Sequence, residues 1–165
     1  MRADGSRAPY PLKKEPNGTI VKETSLLIID DNPGEVALLR RAVERAGVRC
    51  QVTVIENGSD ALAFIRGQGK HALLAAPDLA ILDLHLPLHD GVDVLQAIRE
   101  SRTLSDLPVA VLSSSPVPGD KEKLEELGIT AYIEKPSDLK GFLNIGFVVK
   151  DLLGQSTGVP SPLKN

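Results

Sequence analysis

The sequence predicts an α/β protein built on a parallel five-stranded sheet, and three observations carry that prediction. Short continuous apolar runs recur along the chain, amphipathic helical patterns lie between them, and the two kinds of segment alternate strictly. The runs are LLII at 26–29, VTVI at 52–55, LAIL at 79–82, VAVL at 109–112 and AYI at 131–133. Apart from Thr53 each is apolar or aromatic at consecutive positions, as expected of a strand buried on both faces. The first helix follows Asn32-Pro33, places Val36, Leu39, Val43 and Ala46 on one face and stops before Gly47. A second runs from about Ser59 to Arg66 and ends at Gly67. The third follows Asp90-Gly91, with Val94, Leu95 and Ile98 inward. KEKLEELG is the fourth, with Gly128 just past its end, and Pro116 and Pro118 shorten or displace its start. The last follows Ser137 and continues to about Leu153. Five βα units in this order imply helices on both faces of the sheet and right-handed crossovers.

A chain of 165 residues with 42% hydrophobic and 25% charged content is expected to form one globular domain. Residues 1–22 and 154–165, rich in Pro and Gly or Ser and without periodicity, read as flexible tails around a domain at 23–153. A net charge of −3 supplies no basic field for nucleic acid. Cys50 has no partner for an intramolecular disulfide, and three histidines make no structural zinc pattern. Neither a signal peptide nor an apolar run of about 18 residues is visible, so no membrane association is expected, and a reducing cytoplasm fits. The sequons at Asn17 and Asn57 are then chance occurrences.

In open α/β sheets, ligands bind outside the carboxyl ends of the strands. That rule gathers the polar residues of this chain into one place. Asp30 and Asp31 end the first run, Asp83 the third and Ser113 the fourth, while Lys135-Pro136 follows the fifth. Adjacent carboxylates repel one another and resist burial, so three of them ask for a hard divalent cation. Mg²⁺ suits a few carboxylates, waters and a phosphoryl oxygen. Taken singly, an aspartate after a strand is commonly a turn or cap residue, a lysine before proline a solvated loop residue, and Tyr132 a core residue. The joint placement of all five polar residues is what argues for a site. His85 and His89 lie four apart in a Pro-containing loop, not on one helix face, and are expected to be solvated.

The segments LLIIDDNP, ILDLHLPLHDG, VLSSS and AYIEKP together resemble the receiver domain of two-component response regulators, over residues 25–153. Thirty residues from Asp83 to Ser113 and twenty-two from Ser113 to Lys135 match the receiver spacing, whereas the interval from Asp31 to Asp83 is long because of GQGKHALLAAP. That insertion, with DNPGEVALLRRAV and NGSDALAFIR, is most similar to single-domain regulators associated with bacterial and cyanobacterial phytochromes. The resemblance implies a flavodoxin-like doubly wound (βα)5 sheet of strand order 2-1-3-4-5. It implies that Asp83 accepts a phosphoryl group from a sensor histidine kinase, with a bacteriophytochrome as a candidate, and that the domain is not an enzyme in its own right. Asp30, Asp31, Asp83 and the backbone carbonyl of His85 would hold Mg²⁺, while Lys135 and Ser113 would stabilise the phosphoryl group. Ser113 and Tyr132 would form the conformational switch. His85 and Ser115 stand where the family tunes the lifetime of the acyl phosphate, and a histidine departs from the usual pattern.

Other classes fit less well. A phosphatase of the haloacid dehalogenase class would need an aspartate two residues after its nucleophile, where His85 stands. GQGKH lacks the first glycine and the Ser or Thr of a P-loop. A pseudo-receiver with a silent pocket would not need all five pocket residues. No output domain is expected after Leu153, so the signal passes to a partner protein or through self-association. Two stripes on the last helix, Phe142/Ile145/Val149/Leu152 and Leu139/Leu143/Phe147, raise the expectation of a homodimer through the fifth strand and helix.

Overall fold

The structure, a computed structural model, describes residues 12–114 and 119–155. Two short strands come first, β1 at Leu12–Lys14 and β2 at Ile20–Lys22. The core strands are β3 (Ser25–Ile29), β4 (Gln51–Ile55), β5 (Leu79–Asp83), β6 (Val109–Ser113) and β7 (Ala131–Glu134). The helices are α1 (Pro33–Arg45), α2 (Gly58–Ile65), α3 (Gly91–Glu100), α4 (Asp120–Glu126) and α5 (Leu139–Leu152). The five core strands pair in parallel in the order β4-β3-β5-β6-β7, which is the flavodoxin-like order 2-1-3-4-5 when the core strands are counted alone.

Strand alternation sorts the apolar residues into two layers. Leu26, Ile28, Leu79, Ile81, Ala110 and Leu112 pack with Leu39 and Val43 of α1 and with Phe142, Ile145 and Val149 of α5. Leu27, Ile29, Ala80, Leu82, Val109 and Val111 pack on the other face with Phe64 of α2, Leu95 and Ile98 of α3 and Leu124 of α4. Both parities are buried in β3, β5 and β6, which explains their continuous apolar runs, whereas the edge strands β4 and β7 lack a neighbour on one side and are mostly half-buried, against the expectation of cover on both faces. Of the two stripes on α5, Phe142, Ile145, Val149 and also Leu143 are buried within this chain, Phe147 and Leu152 are half-buried, and Leu139 is exposed.

Residues 12–22 differ from the flexible tail that their composition suggests. β1 and β2 form an antiparallel hairpin, with Leu12 opposite Lys22. The turn Pro16-Asn17-Gly18 closes it locally: Glu15 N donates to Thr19 O at 2.8 Å, Gly18 N to Glu15 O at 2.9 Å, and Thr19 N to Asn17 Oδ1 at 2.9 Å. Gly18 supplies the positive φ of 85° that this turn needs. All six strand residues are exposed, so the hairpin has no apolar period for a sequence reading to detect. Its link to the domain is polar, through the ion pair of Lys22 with Asp78. At the other end Gln155 lies in the expected tail yet clasps Arg49, accepting from its N–H at 2.9 Å and donating to its carbonyl at 3.0 Å. The expectations for Ser115, Pro116 and Pro118, and for 1–11 and 156–165, lie outside the described residues.

Candidate functional site

Register brings the polar residues together. Ile29 pairs with Leu82, Asp83 with Leu112, and Ser113 with Glu134, so Asp30, Asp83, Ser113 and Lys135 stand on neighbouring strand ends. Asp30 continues the parity of Leu26 and Ile28, and Asp83 that of Leu79 and Ile81; both therefore fall on the α1 side of the sheet. Asp30, Asp83 and Ser113 are the buried polar residues among those described.

Asp83 and Asp30 are each held by local backbone. Asp83 Oδ1 accepts from the His85 N–H at 2.9 Å, and Asp83 Oδ2 accepts from Lys135 Nζ at 3.1 Å. Asp30 Oδ1 accepts from the Asn32 N–H at 2.8 Å, and Asn32 in turn caps α1 through its side-chain oxygen. Asp30 Oδ2, however, is buried without a hydrogen-bond partner. One oxygen each of Asp30, Asp31 and Asp83 lie within 4.8 Å of one another, although Asp31 itself is exposed. Burial, with the negative charges of Asp83 and Glu35 added, pushes the Asp30 carboxyl up to about 7 against the opposing pull of the Asn32 N–H.

These features fit a hard divalent cation. An orphaned buried carboxylate oxygen costs free energy that a cation would recover, and cross-repulsion among three acids would be relieved at the same time. The donor set is all oxygen, and no histidine belongs to it. His85 contributes its backbone N–H while its side chain is exposed, as expected. His89 is not fully solvated: it is half-buried against the start of α2, where a Cβ on Gly58 would lie 2.6 Å from His89 Cβ.

Glu35, which sequence reasoning did not single out, belongs to the same pocket. Its Oε2 lies 2.7 Å from Lys135 Nζ, closer than Asp83 does. Burial opposes the charge of Lys135, but these two carboxylates outweigh it and hold the ammonium above the ordinary lysine range. A glutamate three residues after an N-cap asparagine is usually explained by the helix start alone. The signal for its role is a lysine one hundred positions away, which no local pattern contains.

Ser113 is fully buried at the end of β6, and its carbonyl accepts the Lys135 N–H at 2.8 Å. Tyr132, opposite Val111 on β7, is half-buried and packs on the α2/α3 layer.

A family model for the response regulator receiver domain matches residues 26–145. The chain belongs to that family. Response regulator Rcp1 of Synechocystis sp. is 30% identical over 115 residues, which make up 70% of this receiver and 78% of Rcp1. Among solved structures, the phosphorylated cyanobacterial phytochrome response regulator RcpA superposes with a TM-score of 0.74 at 29% identity, over 85% of this chain and 99% of RcpA. The Mn(2+)-bound form of Rcp1 gives the same TM-score at 26% identity, over 83% and 99%. The bacteriophytochrome response regulator RtBRR gives 0.67 at 31% identity, over 86% and 85%. This receiver is thus related to phytochrome response regulators, and none of its described helices is long and apolar enough to cross a membrane.

Proposed function

We propose that this receiver accepts a phosphoryl group on Asp83 from the phosphohistidine of a sensor histidine kinase. The observation that carries the proposal is the Asp83 carboxylate itself: buried, oriented by the His85 N–H, touched by Lys135 and set beside two further acids. In the transfer, the donor P–N bond breaks as an Asp83 oxygen bonds to phosphorus, and the negative charge spreads over the phosphoryl oxygens. Asp30, Asp31, Asp83 and the His85 carbonyl would hold Mg²⁺, which when bound neutralises that charge. Lys135 supplies a preorganised positive charge from the other side. Ser113, at the end of the neighbouring strand, donates its hydroxyl to the phosphoryl group. Its movement toward that group would free space for Tyr132 to turn inward, which biases the β6–β7 surface.

RcpA and RtBRR, regulators of phytochrome systems by name, support a phytochrome-type kinase as donor to what we read as a single-domain regulator. The Mn(2+)-bound form of Rcp1 supports divalent-cation dependence. Output goes to a partner protein or through a homodimer on β7 and α5, where Leu139 is 53% exposed. His85 sets access of water to the acyl phosphate and so its lifetime, with Ser115 as the second such position. The cellular site is the cytoplasm.

The test is incubation with Mg²⁺ and acetyl phosphate followed by intact mass measurement, beside Asp83→Asn. Gain of one phosphoryl mass in the wild type and none in the variant is the expected result. No gain, together with no binding of beryllofluoride at Asp83, would instead establish a silent pocket. Light scattering at tens of micromolar, with and without beryllofluoride, tests the dimer; a monomer in both states removes it.

A further inference from the structure

The geometry points to Glu35 as a positioning residue of the phosphorylation site: it shares the Lys135 ammonium with Asp83 and so brings a further negative charge to the edge of the acidic pocket. The inference rests on the reading of Asp83 as the phosphoryl acceptor. A lysine ammonium has three protons to give. One is directed at Asp83 Oδ2 at 3.1 Å, while Glu35 Oε2 lies closer, at 2.7 Å. The Lys135 side chain is only 12% exposed, so its head is pinned from two elements at once, β5 below and the first turn of α1 beside it. A flexible four-carbon stem that otherwise loses much rotamer freedom is then already fixed before any phosphoryl group arrives, by one hydrogen bond to Asp83 and an ion pair with Glu35.

Two consequences follow from elementary electrostatics. Without Glu35, the ammonium would collapse onto Asp83 alone, and the tighter pair would withdraw electron density from the attacking oxygen. Lys135 would also lose one of the two anchors that aim it. The charge of Glu35, moreover, adds to the negative excess of the three clustered acids from beside them, and a divalent cation gains from that excess while an anionic phosphodonor does not. Glu35 therefore strengthens cation binding and raises the limiting rate of phosphorylation without tightening the donor complex.

Glu35→Gln keeps the shape of the side chain and removes the charge, and Glu35→Asp keeps the charge on a shorter stem. Mg²⁺ titration of the unphosphorylated proteins by calorimetry is expected to show affinity about tenfold weaker in Glu35→Gln and within about twofold of wild type in Glu35→Asp. With acetyl phosphate at saturating Mg²⁺, kcat in Glu35→Gln falls about tenfold while KM is unchanged or lower, and a calorimetric Mg²⁺ stoichiometry equal to that of wild type shows that loss of folded protein is not the cause. If Glu35→Gln matches wild type within about twofold in both Mg²⁺ affinity and kcat, the role assigned to Glu35 is overturned. Failure of the wild type itself to gain a phosphoryl group overturns the acceptor reading instead, and the calorimetric arm still reports on Glu35 in that event.

Discussion

Gly91 offers the sharpest link between packing and phosphoryl chemistry. It opens α3 and donates its N–H to the Leu84 carbonyl at 3.0 Å, which brings the helix start against the backbone that carries Asp83. A Cβ at Gly91 would lie 2.6 Å from the Asp83 carbonyl oxygen and 2.6 Å from Leu84 Cα, where ordinary contact begins near 3.4 Å. Both neighbours are backbone, so no side chain can swing aside. Leu84 is tied to β6 through its N–H on the Leu112 carbonyl at 3.3 Å, so the strand end and the helix start must separate by about 0.8 Å. Overpacking of this kind costs about 1–3 kcal/mol. The displaced atoms include those that orient Asp83, the proposed phosphoryl acceptor, and misplacement on the order of 1 Å can cost about a hundredfold in rate. Gly91→Ala should therefore lose about 1–3 kcal/mol in urea unfolding and take up phosphoryl from acetyl phosphate ten to a hundred times more slowly, on the order set by such displacements. Intact mass over time reads the second quantity. A variant within about 0.5 kcal/mol and twofold of wild type would sink the claim that this contact places Asp83.

Gly146→Ala probes the seam between α1 and α5, where the new Cβ would fall 1.9 Å from the Ala42 carbonyl oxygen. The gain of about 1 kcal/mol in helix propensity is outweighed by the forced separation, and a net loss of about 2 kcal/mol is expected by urea unfolding. Arg99 donates to four backbone carbonyls, those of Ser105, Leu107, Leu127 and Gly128, at 2.8–3.0 Å. Arg99→Ala should cost about 2–3 kcal/mol in the same assay, and Arg99→Lys should recover little because one ammonium cannot span the four acceptors. The Asp30 carboxyl, raised from 3.8 to about 7 by burial and by the charges of Asp83 and Glu35, makes a signed pH prediction. Between those two values the cation-free folded state binds more protons than the unfolded chain, so this group's contribution to stability is present at low pH and is lost as pH rises through about 7. Asp30→Asn should flatten that part of the stability profile in EDTA. In the wild type, Mg²⁺ affinity should fall as pH drops below about 7, because the cation must then displace a proton; affinity constant from pH 8 to pH 6 would contradict both statements.

Much of this protein was legible from local pattern alone. Unbroken apolar runs declared the strands, three of them covered on both faces, and the acids or lysine that end them declared a site at the carboxyl edge, because strand parity and chain punctuation are properties of a few consecutive residues. Asp30, Asp83, Ser113 and Lys135 could be assembled in this way before any coordinates existed. The hairpin at 12–22 could not, since its strands bury nothing and its closure depends on a turn and a polar tie to Asp78. His89 reads as solvated in sequence because nothing in its own loop announces the start of α2 beside it. Glu35 was hidden for the same reason: alone it is a helix-start residue, and only the packing of α1 against the sheet sets it 2.7 Å from Lys135. Sequence by itself determined the layers, the order of elements and the acids gathered at the strand ends. Tertiary structure decided which charge faces which, because Coulomb energy depends on distances between segments that the chain joins only through a hundred intervening residues.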